Sequence, residues 1–570
     1  MRRSLVSSTF MAVLACVAPA AFAQAIGCTA TPCVQPAVEQ AGALFRKVEQ
    51  LYPQLFFPPG KTANQLFGAD TAFYRLYGTA PAWGLATYQG GIWYNNGKQW
   101  LRYLSLDDAN KQFCASACFS STVAGSFAGN VILGSPTDTS VGMSLYSAEQ
   151  SGTVIVEYGR SKGTYSDQTQ AYTLAAGTPL KLRITALNAD TAYYYRLKFK
   201  AGDGATYING AEGTFHTARA AGSSFTFTIQ ADSHMDENSV TRMYQQTLAN
   251  VLAEQPDFHI DLGDTFMTEK HYAPLSPVSS PAANSEEVLN RYVFERNNFA
   301  NIAHSVPLFL ANGNHEGEAG WLNTGSDNIA LWTSRVRQQL FMNPQPNSFY
   351  SGDASDTGRS AWYSWQWGDA LFIVLDPYWY SARIRGGDGW AMTLGSAQYQ
   401  WLEQTLRDSR AAYKFVFLHS LVGGLDGQMR GGIEAAPFFE WGGYESDGVT
   451  KSFAAKRPGW TAPIHDLLVR YGVTAVFHGH DHLYVKQDLD GIVYQEVPQP
   501  SALNTNNAST LARDYHYSSG VTLSSAGHLR VTVTPTAVNV AYVRTWLPEQ
   551  ENAQRKNGQI DHQWTVQRKP

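Results

Sequence analysis

No run of about 18 apolar residues follows the first few dozen positions of this chain, so no later segment reads as a membrane-spanning helix. Charge of one sign is also scarce. Charged residues make up 16% of the 570 positions and the formal net charge is −5, which argues against a broad basic surface for nucleic acid. Internal repeats and low-complexity tracts are missing. With 44% apolar and 13% aromatic residues, the composition is that of folded protein rather than long disorder. Cysteine is sparse, at five in the whole chain.

The chain is too long for one ordinary core, and its length predicts three or four domains. Its start reads as an export signal. Arg2 and Arg3 form a positive n-region, Phe10 to Val17 a short apolar stretch, and Ala21-Phe22-Ala23 a cleavage site, with cleavage near Ala23–Gln24. The location implied is periplasmic or secreted. Arg2-Arg3 also resembles a twin-arginine signal, and Leu14-Ala15-Cys16 more faintly a lipoprotein site. Cleavage removes Cys16 and leaves Cys28, Cys33, Cys114 and Cys118. An even number in an oxidising compartment predicts one or two disulfides of open pairing, with a four-thiolate zinc site as the rival.

Residues 24–120 read as a small α+β module. Ala41, Leu44, Phe45, Val48 and Leu51 recur at helical spacing ahead of Pro53, and aromatic strands follow at Phe73–Tyr77 and Gly91–Tyr94. Residues 121–219 read as an all-β sandwich, with strands at Val141–Leu145, Thr153–Tyr158, Leu180–Ile184 and Ala192–Lys200. Leu187 to Tyr193 resembles the corner of fibronectin type III domains, where a tyrosine fixes the start of a strand. From residue 220 the pattern becomes strands alternating with helices, which implies a sheet covered by helices.

Polar clusters follow the ends of apolar strands in this last region. They are Asp232-Ser233-His234 after FTFTIQA, Gly263-Asp264 after FHIDL, and Gly313-Asn314-His315-Glu316 after PLFLA. His419 follows KFVFL, and Gly479-His480-Asp481-His482 follows TAVFH. Loops at strand ends let a rigid sheet hold converging side chains. If the two His-containing triplets are extended, residues i and i+2 point the same way. Imidazole, carboxylate and amide oxygen without thiolate suit Zn, Fe, Mn or Co. The set exceeds what one tetrahedral ion needs and suits two ions sharing a carboxylate. Ions about 3.5–4 Å apart clamp the attacking and leaving oxygens of a phosphoryl transfer.

The ordered set DxH, GD, GNHE, H and GHDH resembles the calcineurin-like metallophosphoesterase superfamily. With a preceding sandwich, the chain resembles its bacterial purple-acid-phosphatase-like branch over residues 125–545. The resemblance implies a multidomain fold: a two-sheet α/β metallophosphoesterase sandwich over 220–570, preceded by the fibronectin-like sandwich, the small module and the signal over 1–23. It implies Asp232, His234 and His482 on a first metal, Asp264 bridging, and Asn314, His419 and His480 on a second. The metals would be two divalent or mixed-valence transition ions, Fe, Mn or Zn. A hydroxide between them would be the nucleophile. His315 would act near the leaving oxygen, oriented by Glu316 or another acid. Purple acid phosphatases have a tyrosine ligand three residues after the bridging aspartate, where this chain has Met267, and they lack a histidine at the position of His234.

The activity implied is phosphomonoester hydrolysis of a small substrate. A phosphodiesterase acting on nucleotides or lipid head groups is the runner-up, and a non-catalytic surface-binding protein built on the N-terminal modules is the third reading. A missing ligand would favour that last reading, and none is missing. His216, His259, His304 and His478 read as structural. Trp362, Trp365, Trp367, Tyr378, Trp379 and Tyr380 read mostly as core, and Arg430 as either a phosphate contact or a solvated loop residue. The insertion 271–298 and the stretch 347–393 are expected to shape the pocket.

Overall fold

The computed structural model describes residues 127–569, apart from 203, 236–238, 271–280, 355–357, 384–387 and 503–507. Of the earlier part it describes the strands β1 (Trp83–Tyr88), β2 (Gly91–Asn96) and β3 (Trp100–Ser105), paired in that order as one antiparallel sheet. The export segment, the helix before Pro53, the strand at 73–77 and all the cysteines lie outside the described residues.

The β-rich stretch holds β4 (Asn130–Gly134), β5 (Val141–Tyr146), β6 (Gly152–Gly159), β7 (Asp167–Gln168), β8 (Tyr172–Leu174), β9 (Leu180–Ile184), β10 (Ala192–Ala201) and β11 (Ile208–His216). In β10 the alternation in sequence becomes two faces. Tyr193, Tyr195, Leu197 and Phe199 enter a core with Val154, Val156, Met143 and Leu182, while Arg196 and Lys198 pair with Glu157 on the other side. Tyr193 Oη accepts a 2.9 Å hydrogen bond from the Asn188 backbone N–H, which fixes the turn ahead of the strand.

One sheet of this stretch, β11-β10-β6-β7 with β8 on β6, stands alone, but β4, β5 and β9 do not. They continue a nine-stranded sheet through β4, which pairs with β14 (Leu308–Leu310) by a single parallel bridge at Leu308–Gly134. The remaining strands of that sheet are β12 (Phe225–Gln230), β13 (His259–Asp261), β23 (Gly527–Val533), β24 (Ala537–Arg544) and β25 (Ile560–Gln567). The junction is close-packed. A Cβ on Gly134 would sit 2.9 Å from the Met342 carbonyl oxygen, and one on Gly142 would sit 2.6 Å from the Met342 methyl.

The second large sheet runs β15 (Ser351–Gly352), β16 (Tyr363–Trp367), β17 (Ala370–Val374), β18 (Tyr413–Phe417), β19 (Ala475–His478), β21 (Ile492–Glu496), β20 (Tyr484–Leu489) and β22 (Val521–Leu523). Its central strands are apolar on both faces because both faces are covered. Phe372, Phe415, Phe417 and Phe477 meet Phe227, Phe258 and Phe309 of the nine-stranded sheet. Ile373, Val416, Leu418 and Val476 face Tyr399 and Leu402 on one helix (Ser396–Asp408) and Ile464, Leu467 and Leu468 on another (Ile464–Arg470). Truncating one such buried phenylalanine costs about 3–5 kcal/mol. Trp365, Trp367 and Tyr378 are buried as expected of core residues, whereas Tyr380 is 44% exposed.

Strands β12, β13 and β14 run parallel in one sheet, and β17, β18, β19 and β21 run parallel in the other. Loops from their C-terminal ends therefore converge on one edge of the sandwich, where ligands bind in open α/β sheets.

Candidate metal centre

Asp232 follows β12, Asp264 follows β13, Asn314 and His315 follow β14, His419 follows β18, and His480 and His482 follow β19. These loops are joined by backbone hydrogen bonds: Asp232 N to Gly263 O at 2.9 Å, His234 N to Asp264 O at 3.0 Å, and Gly479 N to His419 O at 2.8 Å. The glycines leave room for these approaches. A Cβ on Gly263 would fall 2.2 Å from the Gly313 nitrogen, and one on Gly313 would fall 2.3 Å from Asp264 Oδ1.

Contrary to the i, i+2 expectation, neither triplet is extended: Asp232 and His234 meet in one group through bent backbone, and His480 and His482 go to different groups. Asp232, His234, Asp264, His480 and His482 have φ of 60°, 54°, 54°, 86° and 59°. Left-handed conformations turn the chain sharply and re-aim each side chain, at a cost on the order of 1 kcal/mol or more per residue. Conformational strain of this kind is typical of sites that the surrounding structure holds in place.

Two groups of side chains result, each with ligand atoms within 4.8 Å of one another: Asp232, His234 and His482, and Asp264, His419 and His480. Asp264 Oδ2 touches both groups, lying 3.1 Å from His419 Nε2 and 3.5 Å from His234 Nε2. Asp232 Oδ1 lies 3.5 Å from His482 Nε2 and 3.8 Å from His419 Nε2. Asn314 sits between Gly313 and His315, and the His315 N–H donates to Asp264 Oδ1 at 2.8 Å.

Tautomers follow from the partners, because a carbonyl can only accept. His419 Nδ1 is 3.0 Å from the Leu262 carbonyl and His480 Nε2 is 2.7 Å from that of Gln428, so both nitrogens carry protons. Their other nitrogens, His419 Nε2 and His480 Nδ1, then face each other at 3.2 Å. Two lone pairs at that distance repel unless a proton or cation lies close by. Among the described residues, Asp232 Oδ1 and Asn314 Oδ1 are buried without a hydrogen-bond partner. Inward lone pairs, outward N–H groups held by carbonyls and orphaned oxygens fit transition-metal cations.

Electrostatics agree. Burial alone would raise the Asp232 carboxyl, but the imidazoles of His419 and His482 outweigh it and hold it at about 2. Asp264 is held well below the usual carboxylate range against burial, chiefly by His419 and His315. Burial opposes the proton on His419, yet Asp264 and Asp232 raise that imidazole to about 9. Burial and Arg430 push His480 far down, and burial and His234 push His482 to about 4. Ionised carboxylates and mostly neutral imidazoles are the states a metal needs.

Glu316 does not orient His315. Its carboxylate accepts from the backbone N–H groups of Gly313 (2.6 Å), Asp264 (2.9 Å), Thr265 (2.7 Å) and Phe266 (3.2 Å), tying two site loops together. The residue beside His315 is Glu269, whose Oε2 lies 3.0 Å from His315 Nδ1 and leaves Nε2 facing Asp264 Oδ2 at 3.9 Å. Sequence reading missed Glu269 because its only signal was a carboxylate five residues past Asp264. Arg430 is not a freely solvated loop arginine. It pairs with Asp481 at 2.8 Å, donates to the His480 carbonyl at 2.7 Å and stacks on Tyr515. His259 bonds Thr228, His478 pairs with Glu496, and His216 and His304 bond carbonyls, all structural roles. Met267 is buried, and its carbonyl accepts from Arg291.

A two-sheet sandwich with carboxylates and imidazoles gathered at its strand ends is the architecture of a metal-dependent hydrolase. Residues 225–484 match the family model for calcineurin-like phosphoesterases, so the chain contains a calcineurin-like phosphoesterase domain and is a metal-dependent phosphoesterase. Its fold is similar to that of the solved structure of PhoD, with a TM-score of 0.55 and 16% identity over 78% of this chain and 91% of that one. It is also similar to purple acid phosphatase PPD1 from yellow lupin (Lupinus luteus) seeds, with a TM-score of 0.50 and 16% identity over 78% of this chain and 75% of that one. No curated protein sequence matches the chain. No helix among the described residues is long and apolar enough to cross a membrane.

Proposed function

We propose that this protein is an exported phosphomonoesterase of the purple-acid-phosphatase-like branch, with two transition-metal ions held by Asp232, His234, His482, Asp264, Asn314, His419 and His480. The observation that carries this reading is Asp264 Oδ2, which reaches both histidine groups at 3.1 and 3.5 Å as a shared carboxylate would. The division of the chain into an export segment, a small module, a fibronectin-like sandwich and a catalytic domain belongs to the same proposal. Its support includes the Tyr193 corner hydrogen bond and, by fold, a yellow lupin protein that is by name an acid phosphatase.

Two bound divalent ions would supply Lewis acidity and an activated water. The chain's own residues do the rest. Two carboxylates against two divalent ions leave the site net positive, so it attracts a phosphate dianion. His315 presents Nε2 toward the centre while Glu269 receives its Nδ1–H. A carboxylate on that side fixes the ring, so Nε2 of His315 is placed to pass a proton to the departing alkoxide. Arg430 pairs with Asp481 and donates to the His480 carbonyl, which steadies the ligand loop.

Metal content measured together with hydrolysis of p-nitrophenyl phosphate and its bis-ester, on wild type and Asp264→Ala, tests the proposal. The expected result is near two ions per chain, preference for the monoester, and loss of activity and metal in the variant. Activity confined to the bis-ester would replace the monoesterase reading with the diesterase one.

A further inference from the structure

Most of the sequestered arginines among the described residues have a carboxylate partner. Arg219 pairs with Asp257, Arg337 with Glu318, Arg359 with Asp376, Arg457 with Glu440, and Arg544 with Asp561. This is the expected arrangement, since a charge removed from water needs a counter-charge. One place breaks the pattern. Lys181, which is exposed, and Arg183, which is half-buried, lie two residues apart on β9 and so project from the same face of that edge strand. Arg296 is buried in the neighbouring junction between β5 and the 329–342 segment.

All three meet only neutral groups among the described residues. Lys181 Nζ donates to the Gln338 carbonyl at 2.7 Å. Arg183 donates to Ser135 O at 2.9 Å, Ser135 Oγ at 2.6 Å and Ser140 Oγ at 3.0 Å. Arg296 donates to Asn130 Oδ1, Ser144 and the Leu340 carbonyl. Burial lowers Arg183 with no carboxylate to offset it, and the charges felt by Lys181 are those of Arg183 and Arg296.

Lys181 and Arg183, but not Arg296, border a cleft of about 490 Å³ between the β-rich stretch and the phosphoesterase domain, lined also by Thr137, Ser140, Asn343 and Asn347 and by no acidic residue. We propose that this cleft is a second anion site, separate from the metal centre, which takes a tetrahedral oxyanion: free phosphate or the head of a phosphate monoester. A planar guanidinium, an ammonium, hydroxyls and side-chain amides gathered without a carboxylate are the donor set such an anion requires. The volume suits a small molecule rather than a polymer. An anion bridging Lys181 on β9 and Asn343 beyond the 329–340 helix would fasten the two parts of the chain where one parallel bridge now joins their strands.

Equilibrium binding of inorganic phosphate to the full-length metal-loaded protein tests this inference. Wild type should bind two equivalents. Asp264→Ala should keep only the cleft equivalent, and Lys181→Gln/Arg183→Gln only the metal-centre equivalent. Arg183 helps hold the Ser135 turn, so the single Lys181→Gln variant is the control for folding. It should weaken cleft binding by about tenfold while leaving p-nitrophenyl phosphate hydrolysis unchanged. Titrating Asp264→Ala with glycerol 3-phosphate and with phosphate separates the sources, since the tighter ligand is the one the cleft selects. Binding of neither, or identical phosphate stoichiometry in wild type and the Lys181/Arg183 variants, would overturn the site. A failed metal centre shows instead as loss of the other equivalent, so the two proposals fail in distinguishable ways.

Discussion

His419 and His480 are buried, and each has its outward nitrogen tied to a backbone carbonyl, so their metal-facing nitrogens are set before any ion arrives. The Asp232 group differs in opening to solvent at His482, whose side chain is 32% exposed. Protonation differs as well. The buried group holds a proton on His419 up to about pH 9, drawn by Asp264 and Asp232, whereas Asp232 is ionised above about 2 and His482 neutral above about 4. The inner half is thus rigid but must release a proton to bind. The outer half has less to release and is easier to reach. Preorganisation and proton competition act in opposite directions, so the two ions proposed for this site would exchange unlike each other.

The largest effect should come from Asp264→Ala, which removes the carboxylate that comes closest to both halves. Activity should fall at least about 10³-fold, roughly 4 kcal/mol of transition-state stabilisation, with metal content near zero. Retention of one ion would mean that the halves are more independent than the geometry implies.

His480→Ala and His482→Ala should each cost on the order of 10²-fold, but they should respond differently to excess metal. The exposed His482 position should recover part of its activity, and the buried His480 position should not. Equal rescue would erase the distinction between the halves.

Glu269→Gln should reduce kcat by about 10–100-fold and leave metal content unchanged. A loss of metal in this variant would show that Glu269 supports the centre and not the proton donor.

The mildest perturbation is pH itself. His419 keeps its proton below about 9, so an incoming cation must displace it, and falling pH should weaken the inner ion by up to about tenfold per unit. Among the outer ligands, Asp232 is ionised and His482 neutral from pH about 6 to 8, so neither should add a pH slope to the outer ion there. Chelator competition across that range measures both, and parallel slopes would show that the two halves titrate as one.

Much of the centre was legible because its chemistry is carried by residue type at strand ends. The clusters at Asp232, Asp264, Asn314, His419 and His480 each follow an apolar run, and strands form at those runs because Phe, Val and Ile fit a sheet covered on both faces. What the spacing did not reveal was how the side chains converge. His234 and His482 reach the site through left-handed backbone, a conformation unfavourable for their residue types and sustained by the surrounding packing. Glu316 looked like a partner for its neighbour His315 but points away, to four backbone N–H groups, and that work belongs to distant Glu269. Arg430 sat in a glycine-rich loop, where nothing local revealed that Asp481 and Tyr515 would claim it.

By itself the sequence determined the kinds of ligand, their order along the chain and the two-sheet layering that carries them, since residue chemistry and hydrophobic period are local properties. Tertiary structure alone decided which nitrogen of each imidazole faces inward, which acid holds His315, and that β4, β5 and β9 extend the catalytic sheet. It also left Lys181, Arg183 and Arg296 together without a carboxylate. Those outcomes depend on groups brought side by side from distant parts of the chain, and no local pattern of residues encodes such a meeting.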